Sequence, residues 1–218
     1  MKKVLITGAS GMTGSMVLEN CLKSNEVESV ISLVRTSSNR KDKKLKEIIV
    51  ADFSNYSHVE KYFQDIDIVY FCIGVYTGKV SDEDFKKITV DYTVAMVEIL
   101  KIKCPNVRFC FLSGAGADRT EKSKMAFAKY KGMAENYIIQ NLQNVHMFRP
   151  GYIYPVQKRK EPNMVYNISR TIYPLLKLLG RNATIKSTDL GLGIFMGGFG
   201  KTNKIILENR DIRDLVST

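Results

Sequence analysis

The stretch Lys3–Gly14, KVLITGASGMTG, opens with five residues that read as a buried strand and runs straight into a turn with glycines at 8, 11 and 14. Behind it, MTGSMVLENCLKS (Met12–Ser24) spaces its apolar residues at helical intervals, so the turn joins a strand to the start of a helix. A helix N-terminus offers free N–H groups to an anion. In such a junction Gly8 permits the tight turn, Gly11 lets the backbone approach a pyrophosphate, and Gly14 lets the helix pack closely on the strand. The spacing is G-x-x-G-x-x-G, not the usual G-x-G-x-x-G of dinucleotide binders, and the flanking strand and helix lift it above a plain glycine turn. Gly8, Ser10, Gly11, Met12, Thr13 and Gly14 are the expected ligand contacts of this turn.

The same alternation continues outward. SVISLV (29–34) and EIIVAD (47–52) read as strands, and a helix is expected around YSHVEKYFQ (56–64). DIVYFCIG (67–74) is a continuous apolar run of the kind covered on both faces. A long helix from about Asp82 to Lys103 follows, then a strand at VRFCFLS (107–113), a helix through MAFAKYKGMAE (125–135) and a strand at VHMFRP (145–150). Such βαβ alternation predicts an α/β fold with a doubly wound parallel sheet. After Pro155 the rhythm loosens: QKRKEPN (157–163) reads as a loop, MVYNISRTIYPLLKLL (164–179) as a helix interrupted near Pro174, and KIILE (204–208) as a late strand. The expectation is one domain over residues 1–218, with 156–203 as a small substrate-side cover.

Composition sets the outer bounds. The 218 residues are 44% hydrophobic and 25% charged, as in an ordinary globular domain with a sizeable core. Cys21, Cys72, Cys104 and Cys110 have no ligand spacing, which favours a reducing compartment. With only His58 and His146 and no ligand cluster beside them, no metal is expected. The charged start MKKVLITGAS resembles a signal peptide, but its apolar run stops after three residues. TIYPLLKLL and LGLGIFMGGFG are too short to span a bilayer, so a cytoplasmic protein without membrane contact is expected. The net charge of +11 is dispersed apart from RTSSNRKDKK and VQKRKE, so a solvated surface is expected, not a nucleic-acid interface.

The second strand ends SLVRTSSNR, with Arg35 where a carboxylate would bond the ribose 2′-hydroxyl of NAD. An arginine fork suits a 2′-phosphate, so NADP is favoured over NAD, although a surface arginine in a basic loop is the plainer reading.

Taken in order, TGASGMTG, VADFSN, FLSGAGAD, KGMAE and FRPGYIYP resemble the atypical and extended short-chain dehydrogenase/reductase family, in its epimerase-like branch that includes NmrA-like regulators. The resemblance covers roughly Lys2 to Pro155. It implies a Rossmann-like fold in which Asp52 and Phe53 frame the adenine, and Cys72, Ile73 and Gly74 line the adenosine ribose. Ser113 matches the family's catalytic serine, Lys131 the lysine that holds the nicotinamide ribose, and Pro150, Gly151 and Ile153 lie along the nicotinamide. Asp52 as a turn cap and Ser113 as a strand end are the plainer readings. The departure is Phe127: the family's proton-transferring tyrosine stands four residues before the lysine, and phenylalanine has no proton to give. Tyr130, about 100° around the helix from Lys131, is expected to point away, which leaves Tyr76 and Tyr152 as substitute acids or pocket walls. The expected function is an NADP-binding reductase- or epimerase-like protein acting on an unidentified small molecule. A non-catalytic sensor is the alternative, and a nucleic-acid binder the weakest.

Overall fold

A computed structural model describes residues 1–76, 78–156, 180 and 182–217. The expected loop at 157–163 and helix at 164–179 therefore lie outside the described residues. The central sheet is built from β1 (Lys2–Thr7), β2 (Val27–Val34), β3 (Leu45–Ile49), β4 (Ile68–Phe71), β5 (Arg108–Leu112), β6 (Asn144–Arg149) and β9 (Ile206–Glu208), in the order β3-β2-β1-β4-β5-β6-β9. All six pairings are parallel. The chain leaves β1 in one direction to β2 and β3 and returns beside β1 at β4, so the strand order reverses between β1 and β4. This is the doubly wound, Rossmann-like arrangement expected from the βαβ alternation.

Period-two alternation along the strands divides the core into two faces. Leu5, Val69, Phe71, Phe109, Phe111 and Met147 point to one face. There they meet Val59 and Phe63 of a 3₁₀ segment (Ser57–Phe63), and helices α3 (Tyr92–Lys103) and α4 (Ala126–Asn141). Val4, Ile6, Ile68, Tyr70, Cys110 and Phe148 point to the other face. Helices α1 (Met12–Lys23), α5 (Ser187–Gly198) and α6 (Asn209–Leu215) cover them.

Two local features differ from the expectation. The helix around 56–64 is a 3₁₀ turn. The long helix from Asp82 begins as α2 (Asp82–Lys86), capped by the Ser81 hydroxyl accepting from the Asp84 N–H, and passes through a π turn (Lys87–Asp91) before continuing as α3. The glycine-rich run LGLGIFMGG folds as α5, although glycine disfavours helix by about 1 kcal/mol per residue. Packing explains it: a methyl on Gly191 would lie 2.3 Å from Met16 Cβ of α1, and one on Gly198 would lie 2.1 Å from Tyr70 Oη. The missing side chains let α5 lie directly on α1 and the sheet, where the Tyr70 hydroxyl donates to the Phe195 carbonyl at 2.8 Å. A short parallel pair, β7 (Tyr152–Tyr154) with β8 (Thr184–Lys186), extends beyond the sheet. Among the described residues no helix is long and apolar enough to cross a membrane.

Because the Gly191 contact is with another helix's Cβ and backbone, it cannot be relieved by a side-chain rotation. Gly191→Ala is expected to cost about 1–3 kcal/mol through overpacking, read as a lower urea midpoint. An unchanged midpoint would show that α1 and α5 separate freely.

Candidate functional site

The turn after β1 is held by two backbone approaches. Gly8 has φ +74°, and a methyl on it would lie 2.4 Å from the Cys72 carbonyl oxygen at the end of β4. A methyl on Gly14 would lie 2.1 Å from the Gly8 carbonyl oxygen. Only glycine fits either place, and together they seat the first turn of α1 over the point where the strand order reverses. Gly11 is the N-cap of α1 with no side-chain cap, and no acidic residue stands in the first turn. The terminal N–H groups are thus left for an anion.

Two adjoining cavities flank this turn and share Ser10, Gly11, Cys72, Ile73, Gly74 and Val75, forming one groove. The smaller, about 220 Å³, also takes in Gly8, Arg35 and Phe53. The π turn adds Ile88 and α3 adds Tyr92, whose ring centroid is 5.8 Å from that of Phe53. The larger, about 580 Å³, brings together Met12, Thr13, Ser113, Phe127, Lys131 and Ile153, with Met16, Tyr76, Pro155 and Ser187. Gly14 serves helix packing instead of lining either cavity. Asp52 accepts from the Ser54 N–H at 3.0 Å, with Lys87 3.8 Å away, and it too lies off the lining. Pro150 accepts from the Ala115 N–H through its carbonyl, and Gly151 packs on the 182–183 backbone, so of the 150–153 segment Ile153 reaches the cavity.

One wall of the larger cavity is electrostatically organised. Lys131 is buried, donates from Nζ to the Leu112 carbonyl at 2.8 Å, and lies 4.6 Å above the Phe111 ring. Burial pulls its pKa down to about 8, against the opposing charge of Glu135 one turn on. Glu135 is fully buried and accepts from the Ser113 hydroxyl at 2.5 Å and from Arg149 Nε and Nη2 at 2.9 and 2.5 Å. Arg149 also donates to Glu208 at 3.1 Å, and hydrogen bonding to Glu135 holds its guanidinium pKa up. Glu208 in turn closes a capping box with Asp211 at the start of α6. Cys72 is pushed up to about 12 by burial, so its thiol stays protonated.

The aromatic residues fall into separate roles. Phe127 lines the cavity with its ring tip against Gly114, where a methyl would lie 2.4 Å from Cζ. Tyr130 turns away, as expected, and its hydroxyl donates to Asp82 at 2.6 Å. Tyr76 lines the larger cavity, whereas Tyr152 belongs to β7 and does not. The Glu135–Arg149 pair and the Ile88–Tyr92 wall were missed from sequence. A glutamate four residues after Lys131, on the same face of the expected helix, was a signal for the former, and the i, i+4 spacing of two apolar residues for the latter.

Comparison with known proteins places this geometry in context. The rat protein HTATIP2 is 27% identical over 165 residues, spanning 74% of this chain and 66% of its own, just under two thirds of its length. The mitochondrial protein FMP52 of Candida albicans is 29% identical over 196 residues, spanning 85% and 83% of the two chains. The crystal structure of Candida albicans Gre2 in complex with NADPH shares the fold at a TM-score of 0.71 and 16% identity, covering 95% of this chain and 78% of that one. The model of the NAD dependent epimerase/dehydratase family matches residues 4–149, from β1 to the end of β6, and this chain belongs to that family.

Proposed function

We propose that the protein binds NADP(H) along the groove and is a reductase- or epimerase-like protein acting on a small molecule, with the family's catalytic tyrosine replaced by Phe127. The observation that carries the reading is the continuity of the glycine turn with a cavity holding Lys131, Ser113 and Phe127 together. In this reading the amides at the start of α1 meet the pyrophosphate, the smaller cavity takes the adenosine and the larger takes the nicotinamide and substrate. Bound cofactor supplies the hydride, while Lys131 holds the nicotinamide ribose and the apolar walls exclude water. The free, buried cysteines support a reducing compartment, the cytoplasm in the simplest case.

A second reading, a non-catalytic sensor that retains the cofactor site, is favoured by one feature. Phe127 presents a ring tip and no hydroxyl, and its neighbour Gly114 has no side chain to offer in its place.

Arg35 is the basis for preferring NADP(H). It lines the smaller cavity and makes no ion pair among the described residues, whereas Arg40 is paired with Glu19. The Ser37 and Ser38 hydroxyls are engaged with Glu47 at 2.7 and 2.6 Å, which leaves the guanidinium as the partner for a 2′-phosphate. NADPH is expected to bind more tightly than NADH in fluorescence titrations, and Arg35→Ala to weaken NADPH alone, by about tenfold for a charge-assisted contact. Equal affinities in the native protein would refute the assignment.

Phe127 generates the second test. Native turnover of simple aldehydes with NADPH is expected to be weak or absent. Phe127→Tyr should raise it by at least about tenfold, short of the 10²–10⁴ typical of a general acid because the pocket is not adapted to the new hydroxyl. Lys131→Ala in that variant should remove the gain. Because Lys131 titrates near 8 and its positive charge favours phenolate, the gain should hold below that pH and fade as the lysine loses its proton above it. Robust native turnover that survives Tyr76→Phe and Tyr152→Phe would contradict the account.

A further inference from the structure

Ser113 stands at the end of β5 with its own N–H donated to the Phe148 carbonyl of β6 at 2.8 Å, so its backbone is fixed. Its hydroxyl lies 2.5 Å from Glu135 Oε1. The Glu135 carboxylate is gripped by two nitrogens of Arg149, and a carboxylate so held can only accept. The proton between Ser113 and Glu135 therefore belongs to Ser113 and points into the protein. Ser113 lines the larger cavity; a hydroxyl has one proton, and with that proton given to Glu135 it can offer a ligand there only an acceptor. A carbonyl oxygen set there would meet another acceptor. Across the same wall, Lys131 has further N–H groups beyond the one given to Leu112. A ligand hydroxyl can accept from the lysine and donate to the serine, whereas a ketone can do only the first.

We propose that Ser113 is a specificity residue that accepts a hydrogen bond from an O–H or N–H of the bound ligand, so that the cavity favours an alcohol over the corresponding carbonyl compound. Glu135 sets this polarity by claiming the serine's proton. The inference rests on the reading of the groove as a dinucleotide site, because the donor has two sources there: a substrate hydroxyl, or the carboxamide of the nicotinamide itself.

The test compares cyclohexanol with cyclohexanone by ligand-observed NMR titration, on the protein alone and loaded with NADP⁺. A second arm compares NADP⁺ with its 3-acetylpyridine analogue, in which a methyl ketone replaces the carboxamide and its N–H donors. One neutral hydrogen bond predicts a preference of about three- to tenfold for the donor-bearing member. The preference should appear in the first arm if the substrate supplies the donor and in the second if the cofactor does, and S113A should abolish it. Equal affinities in both arms, a tighter ketone, or a preference that survives S113A would overturn the proposal. The native comparison needs no variant, so poor folding of S113A would not blunt it. Failure of NADP⁺ to bind would refute the cofactor reading alone, since the alcohol comparison is also made on the unloaded protein.

Discussion

Two backbone contacts hold the start of the molecule together: the Gly8 α-carbon against the Cys72 carbonyl, and the Gly14 α-carbon against the Gly8 carbonyl. The first brings the end of β1 against the end of β4, and the second brings α1 down onto that junction. The groove then lies where the strand order reverses, with the open end of α1 aimed into it. Met16, one turn further along α1, meets Gly191 of α5, so the position of the turn also sets how the last helices cover the sheet. A side chain at Gly8 or Gly14 would disturb both the groove and the layer behind it.

A second tie works from the opposite side. Arg149 at the end of β6 bridges Glu135 on α4 and Glu208 at the cap of α6, while Glu135 takes the hydroxyl of Ser113 at the end of β5. Removing one member of such a buried pair costs about 3–5 kcal/mol, because the remaining charge is left unpartnered. Replacing the whole pair with apolar residues often costs little. Its contribution is therefore better sought in geometry than in stability: it fixes α4, and with it Phe127 and Lys131, relative to the ends of β5 and β6.

Much of this fold could be read from the chain. The glycine turn and the βαβ rhythm led to the parallel sheet, because strands buried on both faces give continuous apolar runs and the turn needs glycine at fixed places. The stripe Phe127–Lys131–Glu135 could be read for the same reason, since four-residue spacing on a helix keeps one face. Other features were hidden by their physics. The glycines of α5 argue against helix locally, and only tertiary contact with Met16 and Tyr70 reveals why they are there. The π turn shifts register within an otherwise regular helix and leaves no periodicity of its own. The Glu135–Arg149 contact joins residues whose separation of 14 positions says nothing about proximity until α4 and β6 are placed. Gly151 resembled a ligand contact, yet it faces the 182–183 backbone, which sequence spacing alone did not place beside it.

The central claim is that the turn at 8–14 seats a dinucleotide pyrophosphate, and Gly11 is where it can be tested without unfolding the protein. Unlike Gly8 and Gly14, Gly11 has an ordinary φ of −79°, and a methyl on it would come no closer than 3.2 Å to the Gly8 carbonyl. Gly11 lines both cavities, and apart from the Gly8 carbonyl nothing beyond its own helix and chain neighbours lies within 4 Å of that methyl. The deciding measurement is NADPH titration of Gly11→Val alongside its thermal unfolding curve. The account predicts a cooperatively folded variant with a melting temperature near that of the native protein and no measurable NADPH binding. A folded variant that binds NADPH as tightly as the native protein would contradict it.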